Sequence, residues 1–345
     1  MSDRAGPISY SPTDGLSYDP SDPVYWDGGA LAQEIERTFE ICHGCRLCFK
    51  YCDSFTSLFS FIDDRHDGKV RDVTEAETAQ VMDECFQCKL CEVQCPYTVR
   101  DEHEYQLDFP KLVHRYKAQR TRNGKVSFQN KVLGDPDRTA AAARASFGLA
   151  NTMNSRSKLH RKFLEKTIGI HPDKELPRFA RSTFEKWATQ DGLVHDSPAE
   201  GEAVLFQTCY VQHNEPEIGR DTIDVLRANQ VEITCEKGLE CCGMPAWESG
   251  DLDTMRKKAS ANLDTLLPHV RAGKKVLAIN PTCSMMLRQE YPDLVAEADR
   301  EKARTVAEAV MDPAEFLWSI RKEDRFNEDF KSTPGDTVSY HAPCH

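Results

Sequence analysis

A chain of 345 residues with a net charge of −12 can bury the cores of two or three domains, and its composition is that of an ordinary globular protein. No basic stretch followed by an apolar one opens the sequence, and no apolar run nears the twenty or so residues of a membrane span. Neither a secretory signal nor a transmembrane helix is therefore expected. Fourteen cysteines without an export signal argue against a disulfide framework and for thiols kept reduced for metal or redox work, which points to the cytoplasm.

Residues 1–30, acidic and rich in Pro, Gly and Ser, read as a flexible extension. Leu31, Ile35 and Phe39 then recur at spacing four, the mark of a helix face, and lead into CHGCRLCFKYC, residues 42–52. A second helical string, EAETAQVMDE, leads into CFQCKLCEVQC, residues 85–95. Placing Cys42 on Cys85 also aligns Cys45 with Cys88 and Arg46-Leu47-Cys48 with Lys89-Leu90-Cys91, so the unit looks duplicated.

Thiolates this dense repel one another unless a cation or a cluster absorbs their charge. Zinc usually takes its four ligands as two C-x-x-C pairs a dozen or more residues apart. Here the spacing is C-x-x-C-x-x-C-x-x-x-C, in which three consecutive sulfurs wrap one iron–sulfur cube and the fourth reaches the other cube. That exchange assigns Cys42, Cys45, Cys48 and Cys95 to one 4Fe-4S cluster and Cys85, Cys88, Cys91 and Cys52 to the other, with zinc as the alternative. The second run continues with Pro96, as bacterial ferredoxins do, and the first with Asp53. His43 and His213 stand near cysteines, where a histidine is more often a hydrogen-bond partner of a ligand than a ligand.

Residues 31–115 thus read as a two-cluster helical domain and 116–200 as a helical connector, with helices expected over Thr139–Ala150 and over SKLHRKFLEKTIGI, stopped by Gly169 and Pro172. From Lys111 to Lys186 there are 18 Lys and Arg against 6 Asp and Glu, a local surplus of +12 that leaves −24 elsewhere. A solvated helical face accounts for such a stretch, and so does docking to a partner or an anionic membrane surface. No nucleic acid is expected, because no nucleic-acid motif or interleaved aromatic pattern accompanies the charge.

From residue 201 strands and helices alternate. AVLFQTCYV, VEITC and KKVLAINPTC read as strands, and PEIGRDTIDVLRANQ as a helix. Another helix opens at Asp251 with Leu252, Met255, Ala259, Leu263 and Leu266 on one face, and SMMLRQEYPDL forms a last one. The expected fold is therefore α+β multidomain: the helical two-cluster domain, the connector, then an α/β domain at 201–325 with a mainly parallel sheet. Cys209, Cys235 and Cys283 fall at or just beyond strand ends, where such sheets gather ligands. Gly243, after the adjacent Cys241 and Cys242, lets backbone amides approach an anionic group.

Cys209, the Cys241-Cys242-Gly243 triplet and Cys283 resemble the pattern of the cysteine-rich CCG domain. They depart from it at Met286, which stands where the pattern ends in cysteine. With the two cysteine runs, and with LPRFARSTFEKW at Leu176–Trp187 closing the connector, the chain resembles one family. Its members include the C subunit of anaerobic glycerol-3-phosphate dehydrogenase, the iron–sulfur subunits of glycolate and lactate oxidases, and the D-type subunit of heterodisulfide reductase. The resemblance implies an electron-transfer subunit, not a stand-alone catalyst, that relays electrons between a flavoprotein dehydrogenase and a quinone or other acceptor, at the inner face of the cytoplasmic membrane if the connector docks there. It also implies a third iron–sulfur cluster held by Cys209, Cys241, Cys242 and Cys283. The alternative is a catalytic disulfide reductase acting at the CCG cluster, against which Met286 counts. No G-x-G-x-x-G follows a strand and no P-loop is present, which leaves flavin, nicotinamide and ATP to other chains. TVSYHAPCH, ending in His341, Pro343 and Cys344, mirrors AVLFQTCYV and reads as the first strand of a second CCG domain, residues 326–345, broken off after its start.

Overall fold

The protein is described by a computed structural model that covers residues 6–124, 127–154, 157–194, 201–330, 332 and 335–339. The chain divides into two compact units, one built from the residues before 126 together with Glu248–Asp251, the other from the remainder.

The first unit is helical. Helix α1 (Gly28–Cys45) starts at Asp27, whose carboxylate accepts the Ala30 amide, and it buries Leu31, Ile35 and Phe39 as their spacing predicts. It does not stop before the first cysteine run but carries Cys42 and Cys45 in its last turn. Helix α2 (Asp53–Ser60) continues through a π-helical turn, Phe61–Arg65. A capping box of Thr74 and Glu77 opens α3 (Glu75–Asp83). A short α4 (Leu90–Gln94) precedes α5 (Phe109–Arg122), which is capped by Asp108 and has Pro110 in its first turn. Phe55, Leu58, Ile62, Val81, Met82, Leu112 and Val113 close the core, each side chain contributing about 1.5–3 kcal/mol by leaving water.

The N-terminal segment, expected to be flexible, is anchored from Tyr10 to Tyr25. Arg37 donates to the Tyr10 carbonyl (2.9 Å), and Glu34 accepts from the Thr13 amide (3.0 Å) and hydroxyl (2.6 Å). Arg115 donates to the carbonyls of Gly15 (2.7 Å) and Tyr25 (2.8 Å). These anchors are buried charged residues of α1 and α5, so the composition of the segment itself carries no trace of them.

The second unit begins with α6 (Phe128–Leu133), α7 (Pro136–Ala145), α8 (Leu149–Met153), α9 (Lys158–Ile168) and α10 (Phe184–Gln190). The expected helix over 139–150 is broken at Phe147 and Gly148, both left-handed, and α9 ends on left-handed Gly169 as the sequence indicates. The connector read from the sequence is thus shared out: α5 belongs to the first unit and α6–α10 to the second.

Alternation follows in β1 (Ala203–Phe206), α11 (Thr208–His213), α12 (Pro216–Ala228), β2 (Ile233–Cys235), α13 (Met244–Glu248), α14 (Leu252–Arg271) and β3 (Lys275–Ala278). It continues through α15 (Pro281–Met285), α16 (Tyr291–Leu294), α17 (Arg300–Ala309), β4 (Val310–Met311) and α18 (Pro313–Ser319). The strands form one parallel sheet in the order β2-β1-β3-β4, with Ala203 opposite both Ile233 and Lys275. All four residues of β1 are buried, as a central strand covered on both faces requires. The expected strand at 203–211 ends at Phe206, because Thr208 takes a left-handed backbone (φ 65°) and turns the chain into α11. The expected helix at 284–294 is interrupted by a π-helical turn, Met286–Glu290, and β4 is too short to have shown in the sequence. No helix among the described residues is long and apolar enough to cross a membrane. The start of a second CCG domain falls mostly on Tyr340–His345, His341, Pro343 and Cys344 included, outside the described residues.

Candidate functional site

In the first unit, the two cysteine runs share one turn that their spacing alone does not reveal. Arg46 (φ 56°) and Lys89 (φ 58°) occupy equivalent positions, each between the second and third cysteine, and both are left-handed. This conformation is uncommon for such side chains and reverses the chain there, returning Cys48 and Cys91 toward the cysteines before them.

The grouping of thiols is crossed. Cys42, Cys45 and Cys48 line one pocket together with Cys95 from the second run, beside Phe55, Phe59 and Tyr97. Burial first, then the neighbouring charges of Cys95, Cys48 and Cys45, push the Cys42 thiol well up. Burial and then Cys95 raise Cys48 to about 12. In the other direction Cys52, of the first run, bears on Cys85, which burial raises to about 11 against the opposing Gln87 amide and Lys117 charge. Cys91 is also raised by burial, then by Cys85, and it feels Cys48 and Cys42 as well, so the two groups adjoin. Cys52 is the residue before α2; burial pushes its thiol up, opposed by the Phe55 and Ser54 amides. Such sets of partly buried, mutually repelling thiols suit a group whose positive core accepts them as thiolates.

In the second unit the topology assembles the other set. Cys209 follows β1, Cys241 and Cys242 follow β2, and Cys283 lies in α15 after β3. Contact with Cys241, then burial, raises Cys209, while contacts with Cys209 and Cys242 lower Cys241. Cys242, in contact with Cys241 and Cys283, is pushed up. The four sulfurs therefore meet at the carboxyl ends of three strands, where parallel sheets gather ligands. Cys235 ends β2 itself, is buried, and is raised to about 12 by its burial, with Glu236, Arg227 and Asp191 as the charges that bear on it.

Several residues that the sequence reading passed over shape the set. Asn262 donates to the carbonyls of Glu240 (3.2 Å) and Cys241 (3.3 Å), and the Tyr291 hydroxyl donates to the Cys242 carbonyl (2.8 Å). Gly243 is left-handed (φ 84°), and a Cβ there would lie 3.0 Å from Met255 Cγ. Among the described residues Gln207, 2 % exposed, has no partner for either polar atom of its carboxamide, an unsatisfied donor and acceptor two residues from Cys209 that suits a bound group. Asp137 accepts the Cys241 amide at 2.8 Å. The histidines expected beside ligands bond to carboxylates: His43 to Asp63 (2.8 Å) and His213 to Asp137 (3.0 Å). Met286 is fully buried.

Comparison with known proteins finds a family model over each of the two cysteine-rich regions. Residues 41–100 match the model of the 4Fe-4S dicluster domain and residues 203–288 that of the cysteine-rich CCG domain. The chain is similar to the C subunit of the anaerobic glycerol-3-phosphate dehydrogenase of Escherichia coli K12, 30 % identical over 224 residues that cover 64 % of this chain and 54 % of that one. It is also similar to lactate utilization protein A of Bacillus subtilis, 26 % identical over 41 % of this chain and 56 % of that one. A third relative is the B subunit of the fumarate reductase (CoM/CoB) of Methanothermobacter marburgensis, 28 % identical over 41 % of this chain and 25 % of that one. The chain spans about half the length of the first two of these relatives. No solved structure matches it significantly. Fold and cysteines together define an iron–sulfur protein with a dicluster domain followed by a CCG domain. It is similar to subunits of a dehydrogenase and of a reductase and to a lactate utilization protein.

Proposed function

We propose that the chain is the electron-relay subunit of a dehydrogenase complex. Cys42, Cys45, Cys48 and Cys95 hold one 4Fe-4S cluster, Cys85, Cys88, Cys91 and Cys52 hold a second, and Cys209, Cys241, Cys242 and Cys283 hold a third iron–sulfur group. Such groups supply one-electron steps at potentials of about −700 to +450 mV, tuned by burial, charge and hydrogen bonds to sulfur. The protein's own residues insulate and position them. The observation that carries the reading is the crossed pocket, in which Cys95 joins the three leading cysteines of the other run.

Electrons enter from a flavoprotein subunit that oxidises glycerol-3-phosphate or a 2-hydroxy acid, and they leave to a quinone or another acceptor. Two relatives are named as subunits of a dehydrogenase and a reductase, which supports a substrate site on a separate chain. The complex works at the cytoplasmic face of the membrane, touching it through the basic connector. Helix α9 supports that contact: Leu159 and Phe163 face solvent one turn apart beside exposed Lys162 and Lys166, while Arg161 is buried.

Iron, acid-labile sulfide and zinc per chain, measured on anaerobically purified protein alongside its paramagnetic resonance after reduction, test the relay. About twelve irons are expected if the CCG cysteines carry a third cubane and about eight if they do not. About two zincs without sulfide would overturn the reading.

A further inference from the structure

Asp137 stands in the first turn of α7, outside the residues matched by the CCG model, yet it is tied to the loop that carries the paired cysteines. Its Oδ2 accepts the Cys241 amide at 2.8 Å and the Lys258 ammonium at 2.7 Å, and its Oδ1 accepts from His213 Nε2 at 3.0 Å. Arg144 donates to His213 Nδ1 at 2.9 Å, which fixes the ring tautomer with its proton on Nε2, aimed at Asp137. Lys258, whose side chain is 5 % exposed, also meets Asp135 (2.9 Å) and Glu240 (3.3 Å). Every donor to this carboxylate comes from a different element: α11, α14 and the cysteine loop.

Two physical consequences follow. An amide directed at a cluster sulfur stabilises the reduced cluster, and the Cys241 amide is held by a carboxylate instead. A fixed anion close to the thiols opposes the addition of an electron, and the neighbouring Lys258 cation offsets it. The Asp137 charge is felt at both Cys209 and Cys241.

We propose that Asp137 is a positioning residue of the CCG site: it holds the Cys241 backbone and, balanced by Lys258, sets the reduction potential of the iron–sulfur group bound there. This rests on the reading that Cys209, Cys241, Cys242 and Cys283 hold such a group. The site is then completed by the connector and is not contained within the CCG fold alone.

The test is a redox titration of the full chain, followed by paramagnetic resonance, with iron counted in every sample. Asp137→Asn keeps an oxygen to accept the Cys241 amide, removes the charge, and gives up the acceptor that faces His213. The potential of the CCG signal is expected to rise while the signals of the N-terminal clusters stay in place. Lys258→Met is expected to lower the same potential, the double variant to return it toward the parent value, and Lys258→Arg, which keeps the charge and guards against a folding artefact, to leave it there. Asp137→Ala also removes the anchor and is expected to alter the shape of the signal. An unchanged potential in Asp137→Asn, or shifts of the same sign in Asp137→Asn and Lys258→Met, as a loosened fold would give, overturns the proposal. A parent chain with only the eight irons of the N-terminal clusters overturns the reading beneath it.

Discussion

The two cysteine-rich regions reach their geometry by different routes. The N-terminal thiols are close in sequence, mostly half-exposed, and set by two turns at equivalent positions, Arg46 and Lys89. The CCG thiols come from three segments and, Cys209 apart, are buried. They depend on a parallel sheet and on Asn262, Tyr291 and Asp137 bonding the cysteine loop from three helices. A site encoded by local spacing is defined by which cysteine joins which group. A site encoded by tertiary packing is defined by the fit of its surroundings. Substitutions should separate the two.

The largest effect is expected from breaking the crossing. With Cys95→Ser, about four irons per chain should be lost. Cys42, Cys45 and Cys48 should then become open to alkylation while Cys85, Cys88 and Cys91 stay protected, a pattern read by mass spectrometry of the labelled peptides. Cys52→Ser should give the reverse. If Cys95→Ser instead exposes Cys85, Cys88 and Cys91, each run serves its own cluster and the crossed grouping is wrong.

That contrast also explains what the sequence could reveal. The pocket that brings Cys95 beside Cys42, Cys45 and Cys48 accords with the three-residue gap before each last cysteine, and the parallel sheet with alternating apolar runs and amphipathic helices. Both signals are local. The left-handed turns were hidden because Arg46 and Lys89 carry no propensity for that conformation. Asp137 gave no signal either: in GDPDR it reads as an ordinary first-turn acid, and its bond to Cys241 spans 104 residues. The anchoring of Tyr10–Tyr25 was invisible for the same reason, since Glu34, Arg37 and Arg115 look like solvent-facing charges until the helices pack. Long-range polar contacts leave no periodicity behind.

An intermediate effect should appear in the packed region alone. Alanine at Gly243 would keep a left-handed backbone and press its Cβ against Met255, 3.0 Å from Cγ and 3.2 Å from Cα, at a cost of about 1–3 kcal/mol. The urea midpoint should fall, and the CCG signal should weaken before those of the N-terminal clusters. Thr208→Gly is the counterpart. It relieves a β-branched residue at φ 65° while adding chain entropy to the unfolded state, so stability should move by less than about 1 kcal/mol. A large loss from Thr208→Gly would mean that the threonine side chain itself is needed beside Cys209.

The smallest effect concerns the helix that leads into the second cysteine run. Hydrogen bonds, first from the Thr74 amide and then from His66, the Thr74 hydroxyl and Arg65, hold the Glu77 carboxyl at about 2 against an ordinary value of 4.5. Because the folded value lies below the unfolded one, ionised Glu77 stabilises the fold above about pH 4.5, and the contribution fades as the pH falls toward 2. Glu77→Gln should therefore be less stable than the parent by a constant margin from pH 7 to about pH 5, with the margin closing on further acidification. Urea titrations of both proteins at each pH give the difference directly. A margin that stayed constant through acid would show that Glu77 works through its packing and not through its charge, and α3 would then rest on the same kind of tertiary fit as the CCG loop.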